Sequence, residues 1–374
     1  MSNPNAIEKN TAALRRPSHE RSGARNERGE YEHPFWYICS RLPSSYWNYD
    51  DTRIDFNTDL SAYELIQKIG RGKYSEVFRC RNTDNNCICV LKILKPVRFG
   101  KIKREISILR NLCGGPNVVR LLDVLKDERT GTPVLVTEYV NKPVTLRTLM
   151  QNKTLTNFDL RYYIYEVLRC LDFAHCRGIF HRDIKPHNVM IDAERKILRV
   201  IDWGLGEYYI HGEALNCGVA TRHYKSPELL FGYRHYDYSL DIWCVGCVLA
   251  GMLFRCDPLF CGSSNEDQLL KLANVFGSSV VYRTVEKYRG AIPRSIADDL
   301  ANCRRDPVPW SKFVTQENAE FCDTDALDLV NQMLQFDLQD RPLASEAMKH
   351  PYFAPVREAL EQNNGQYPNR IQPQ

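Results

Sequence analysis

The chain has 374 residues, 43% of them hydrophobic and 26% charged, with a formal net charge of +4. That length exceeds one average domain and suits one large domain or two lobes, and the mixture is ordinary for a soluble globular protein. A charge this mild does not argue for nucleic acid, no apolar run approaches the ~20 residues that span a bilayer, and the N-terminus has no hydrophobic stretch of the secretory kind.

Residues 1–33 are polar and Arg-rich and read as a disordered tail; "RRPSHER" within them is either a weak nuclear address or solvated tail. The 14 cysteines are scattered, which fits reduced thiols and a cytoplasmic and nuclear location. From Tyr63, "YELIQKIG", "SEVFRCRN" and "CICVLKIL" are β-rich runs separated by turn residues. "GKIKREISILRNL" then sets Ile102, Ile106 and Leu109 on one helical face. "VVRLLDVLKD" and "PVLVTEYV" return to strands, and Glu138–Asn141 joins this β-rich region to a mostly helical one. From "TLRTLMQN" onward helical patterns dominate, beginning with the amphipathic "LRYYIYEVLRCLDFAHCRG". The spacing of "CVGC" at Cys244 and Cys247 is that of half a zinc site, but the apolar helical pattern around it favours two buried core thiols. The polar end of the chain, residues 357–374, reads as a second disordered tail.

Several short stretches carry chemistry. "GRGKYS", Gly70–Ser75, falls between two strands, where its glycines let backbone N–H groups approach a phosphate. Lys92 lies in the apolar strand "VLKIL", and Glu105 follows thirteen residues later on the helix, where its carboxylate can hold the Lys92 ammonium. "HRDIKPHNVMI" sets Asp183, Lys185 and Asn188 within six residues: an acid for a hydroxyl proton, a cation for a phosphate, and an amide oxygen for a metal. Eleven residues after Ile191 comes "DWG", with Asp202 as a second metal ligand, and "SPE" closes the segment at Glu228.

In this order and spacing the motifs resemble the protein kinase family over about residues 63–353. "GRGKYSEVF", "VLKILKPV", "HRDIKPHNVMID", "DWGLGEYY" and "YWNYD" (Tyr46–Asp50) resemble, more closely, the casein kinase II catalytic subunits, with Trp203 and Ser75 as characteristic replacements. The resemblance implies an α+β, bilobal kinase fold: an N-terminal segment (34–62) packed on the core, a small β-rich lobe (63–141) and a larger helical lobe (142–356). It implies Ser/Thr kinase activity with ATP, or GTP as an alternative donor, and Mg²⁺.

The same resemblance assigns roles. Lys92 meets the α/β-phosphates and Glu105, Asp183 accepts the substrate proton, and Lys185 meets the γ-phosphate. Asn188 and Asp202 hold Mg²⁺. Ile69, Gly70, Arg71, Gly72, Lys73, Tyr74 and Ser75 cover the nucleotide, Val77, Val90, Met190 and Ile201 sandwich the adenine, and the backbone of Glu138 and Val140 binds its edge. Thr137, where the family carries Phe, leaves room behind the adenine. Acidic protein substrates would meet Arg98, Lys101, Lys103, Arg222 and Lys225, an interaction weakened where Phe99, Gly100 and Gly218 interrupt the family's basic pattern. The family's partner is a dimeric regulatory beta subunit that docks on the outer small-lobe sheet near Leu65 and Phe78; neither a membrane nor direct nucleic-acid contact is implied.

Between Asp202 and Thr221 the chain has no Ser and no Thr, so the loop lacks the phosphate acceptor with which many kinases engage the Arg182 position. The expectation is a loop held active by the segment around Tyr46–Asp50 and by the Trp203 indole. The competing expectation is an inactive kinase-like scaffold, which usually lacks one of Lys92, Asp183 or Asp202.

Overall fold

A computed structural model describes residues 33–72, 74–363 and 365. Most of the expected N-terminal tail, Lys73 and residues 366–374 lie outside the described residues. Two tail boundaries are corrected. His33 is buried, its ring 4.7 Å from that of Tyr238. Residues 357–362 are helical, within Ala354–Gln362, whose Val356 is buried in the main core.

Five antiparallel strands form the first lobe: β1 (Tyr63–Arg71), β2 (Ser75–Asn82), β3 (Ile88–Leu94), β4 (Leu121–Lys126) and β5 (Pro133–Glu138), in the order β1-β2-β3-β5-β4. Before them lie two single-turn helices, α1 (Ile38–Arg41) and α2 (Ser44–Trp47). Between β3 and β4 runs α3 (Phe99–Asn111). Side chains alternate across a strand, so β3 serves two faces. Cys89 and Leu91 pack with Cys80, Leu125, Val134 and Val136 on one side. Leu94 packs with Ile102 and Ile106 of α3 on the other, the side that Lys92 shares. The strand period and the helix position therefore aim Lys92 at α3.

The second lobe is helical around one core. Helix α4 (Leu146–Gln151) precedes α5 (Asn157–His175). Helix α5 starts before the apolar pattern does because Thr156 and Asp159 form a reciprocal cap: Thr156 Oγ1 accepts from the Asp159 N–H at 3.1 Å, and the Asp159 carboxylate accepts from the Thr156 N–H at 3.0 Å. After α6 (Pro227–Leu230) comes α7 (Ser239–Leu253), whose fifteen residues are all buried, as expected of a helix apolar on every side. Cys244 and Cys247 lie on it, and among the described residues no group of three or more His, Cys, Asp or Glu is arranged to hold a metal. All 14 cysteines are free. Among the described residues no helix is long and apolar enough to cross a membrane.

Three further strands, β6 (Pro143–Thr145), β8 (Val189–Asp192) and β9 (Ile197–Val200), form a small antiparallel sheet, and β7 (Ile179–Phe180) pairs with β10 (Glu207–Tyr208). These short strands carry the loops that meet the first lobe.

Candidate active site

Lys92 on β3 donates to Glu105 Oε1 of α3 at 2.7 Å and to Asp202 Oδ1 at 2.8 Å. Burial works against the Lys92 ammonium, but the two carboxylates more than offset it and raise its pKa. Lys92 in turn holds the Asp202 carboxyl below the usual range. This ion-paired trio ties the sheet, α3 and the loop after β9 together. Gly204 leaves little room there: a Cβ on it would stand 3.1 Å from Glu105 Oε2.

Asp183 lies in the loop after β7. Its Oδ1 accepts from the Thr221 N–H and hydroxyl, both at 2.8 Å, and its Oδ2 accepts from Lys185 Nζ at 2.6 Å. Lys185 also donates to Thr221 Oγ1 at 2.7 Å. Thus the acid, the cation and the far end of the loop form one unit. Asn188 spends its amide N–H₂ on the Asp183 carbonyl at 2.9 Å and on Oδ2 at 3.2 Å, which turns its amide oxygen away from that acid. A free amide oxygen and the half-exposed Asp202 carboxylate are hard oxygen donors that suit Mg²⁺, which keeps several waters and needs few protein ligands.

Beneath this layer the scaffold is charged and satisfied. Buried Asp241 of α7 accepts from the backbone N–H of His181 and of Arg182, both at 2.8 Å, and shares a proton position with His175 Nε2 at 3.0 Å. Burial pushes the Asp241 carboxyl up, but these partners hold it down on balance. Arg182 and Asp202 both take left-handed φ, 64° and 62°, a costly backbone that the surrounding bonds must enforce. The Trp203 indole donates to the Val200 carbonyl at 3.2 Å, fixing the turn that carries Asp202.

The position of Glu207 was not anticipated. Its Oε2 accepts from Arg182 at 3.0 Å and from Arg104 of α3 at 2.5 Å. A carboxylate on β10 therefore joins the two guanidiniums, and through them the loop after β7, the loop after Asp202 and α3. The acid in "GEYY" was a visible signal, but its partners lie 25 and 103 residues away. Next to it, the Tyr208 hydroxyl meets Ser107 and Asn111 of α3, each at 2.8 Å, and the Tyr46 and Tyr49 rings lie 5.8 and 6.3 Å from its ring. Asn111 also donates to the Tyr46 carbonyl at 2.9 Å. The segment around Tyr46–Asp50 thus packs on the loop.

The remaining candidates fall in three places. Ile69, Gly70, Arg71, Gly72 and Tyr74 surround the β1–β2 turn, where the Gly72 N–H donates to the Ser75 carbonyl at 2.8 Å. Val77 on β2, Val90 on β3, Met190 on β8 and Ile201 just after β9 are all half-buried, and Val90 is paired with Thr137 of β5. The Glu138 carboxylate is turned to Arg199, at 2.9 Å, and β5 ends there, so Tyr139, Val140 and Asn141 leave the strand ladder. The basic candidates separate. Arg222 and Lys225 flank Thr221's turn, and Lys225 donates to the Cys217 carbonyl at 3.3 Å while burial lowers its pKa. Arg98, Lys101 and Lys103 lie at the start of α3, where Lys103 donates to the Asp50 carbonyl at 2.7 Å and Lys101 lies over the Tyr74 ring.

A family model described as the protein kinase domain matches residues 63–353. The chain belongs to the protein kinase family. The two-lobed α+β architecture is that of a kinase domain, whose activity is phosphoryl transfer to proteins and which generally binds ATP and Mg²⁺.

Proposed function

We propose that this kinase is Ser/Thr-specific, resembles casein kinase II catalytic subunits, and is active without phosphorylation of its own loop. The observation that carries the reading is Glu207. Its carboxylate occupies the guanidiniums of Arg182 and Arg104 while the Lys92–Glu105 pair is closed. In many kinases a loop phosphate supplies that charge. Ser/Thr specificity is supported by Lys185 two residues after Asp183 and by its bond to Thr221.

In the proposed reaction, Asp183 accepts the proton of the substrate hydroxyl and orients its oxygen, while Thr221 and Lys185 keep the carboxylate from turning. Lys185 and Lys92 supply fixed positive charge where phosphate charge develops. Asn188 and Asp202 would hold Mg²⁺, which neutralises charge on the phosphate oxygens of ATP. Positioning and charge neutralisation are most of what phosphoryl transfer needs.

Arg222 and Lys225 support a preference for acidic residues after the phosphorylated hydroxyl. A Cβ at Gly218 would meet Asn216 Oδ1 at 3.0 Å, so the basic side chain the resemblance implies there would require Asn216 to move. The exposed Leu65 on β1 supports docking of a regulatory subunit on the outer sheet. A peptide array that varies the residues after a central Ser tests the substrate assignment. Stronger phosphorylation with Asp or Glu in those positions is expected; equal phosphorylation with Ala would overturn it.

A further inference from the structure

Five of the cysteines are exposed: Cys87, Cys113, Cys256, Cys261 and Cys303. Among the described residues, Cys261 is the one of these that meets an imidazole, with its Sγ 3.9 Å from His223 Nε2. His223 belongs to the turn Arg222–Tyr224, which immediately follows Thr221 and so adjoins the hydrogen-bonded unit of Asp183 and Lys185. We propose that Cys261 is a thiol-modification site, activated by His223, through which hydroperoxides weaken protein-substrate binding.

The chemistry follows from the pair. An imidazole beside a thiol can accept its proton as the sulfur attacks. With a hydroperoxide, the sulfur takes the outer oxygen and the O–O bond breaks. The proton passes from His223 to the departing alkoxide or hydroxide. The balance is thiol plus hydroperoxide to sulfenic acid plus alcohol or water, with sulfur oxidised and peroxide reduced by two electrons. A small thiol then condenses with the sulfenic acid, releasing water and leaving a mixed disulfide.

The consequence follows from how the loop is held. Buried Gln268 donates to the carbonyls of His223 and Phe260, each at 3.3 Å, and accepts from the Gly262 N–H at 2.8 Å. Gly262 is pressed against Gln268 so closely that a Cβ would lie 2.4 Å from its backbone nitrogen. The loop cannot swing aside without breaking these bonds. Next to Cys261, the Ser263 carbonyl accepts from Arg222 at 2.5 Å. A group added to exposed Cys261 therefore stands on a fixed loop beside the His223 turn and Arg222, a proposed contact for acidic substrates, where it competes with the substrate for space. The effect on substrate binding rests on the proposed function, whereas the reactivity of the thiol does not.

Two measurements on the full chain separate these parts. Limited iodoacetamide labelling at neutral pH, mapped by mass spectrometry, should modify Cys261 roughly tenfold faster than Cys87, Cys113, Cys256 or Cys303, a modest figure for general-base help at the surface. His223→Asn should bring it to their rate. Equal rates in the unmodified chain, or no effect of His223→Asn, would overturn the activation, and neither readout needs kinase activity. Hydrogen peroxide followed by glutathione should then raise the KM for an acidic peptide about threefold or more, leave the KM for ATP unchanged, and be reversed by dithiothreitol. Cys261→Ser should be insensitive. An unchanged peptide KM at full modification of Cys261, or equal sensitivity of Cys261→Ser, would overturn the regulatory role.

Discussion

Replacing Glu207 by Gln removes the carboxylate that Arg182 and Arg104 share and leaves two largely buried guanidiniums facing each other. Their side chains are 2% and 12% exposed, and that of Glu207 is 14% exposed, so water screens little of the loss. Removing one partner of a buried pair costs about 3–5 kcal/mol. Gln keeps an acceptor oxygen, and Arg182 keeps its bonds to the Leu205 carbonyl at 2.7 Å and the Tyr236 hydroxyl at 3.1 Å. The lower end, about 3 kcal/mol, is therefore expected, roughly a hundredfold in the equilibrium between the ordered and the released loop. Hydrogen exchange reads this directly: amides of residues 204–209 should lose about two orders of magnitude of protection while those of α7 do not change. The kcat toward a Ser peptide should fall with it, and Glu207→Asp, which keeps the charge, should retain more activity than Glu207→Gln. Protection and kcat both within threefold of the unmodified chain would refute the claim that this carboxylate orders the loop.

Other consequences can be measured separately. Arg341 makes a fully buried two-pronged pair with Glu228, at 2.8 and 2.7 Å, so Glu228→Ala should cost about 3–5 kcal/mol of stability in denaturant titration. The double change Glu228→Met with Arg341→Met should cost less, because no charge is left unpaired. Burial depresses the Lys225 pKa, and Arg222 depresses it further. A lysine with a lowered folded pKa gives up its proton earlier as pH rises, so it disfavours folding at lower pH and stops doing so once neutral in both states. An acidic substrate group would favour the charged form. The KM for an acidic peptide should therefore rise with pH below the range of an ordinary lysine, and Lys225→Arg should flatten that rise; an identical pH profile in both proteins would contradict it.

What could be read from the sequence depended on how local each signal was. Gly70–Ser75, His181–Ile191 and Asp202–Gly204 are contiguous, so the loops of the candidate site were legible, and β-rich runs between turn residues marked β1 and β3 while helical spacing marked α3 and α5. Lys92 and Glu105 were legible as a pair because their separate elements sit at a recognisable spacing. Glu207 was not, because neither guanidinium it binds is near it in the chain. The last helix was missed because only Val356 of Ala354–Gln362 is fully buried, with Leu360 partly buried against the same core, and a polar segment follows it. The link between Cys261 and His223 spans 38 residues and no pattern announces it.

On the proposed reading, in which Glu207 orders the loop, activity needs no phosphate there. The most direct test is phosphoryl transfer from ATP and Mg²⁺ to a Ser peptide by the purified chain before and after exhaustive phosphatase treatment, with Asp183→Asn as the control. Equal rates before and after treatment are expected, with near-complete loss in Asp183→Asn. A large drop after phosphatase would contradict the loop's independence of phosphate, and Asp183→Asn activity within tenfold of the unmodified chain would contradict the role of Asp183.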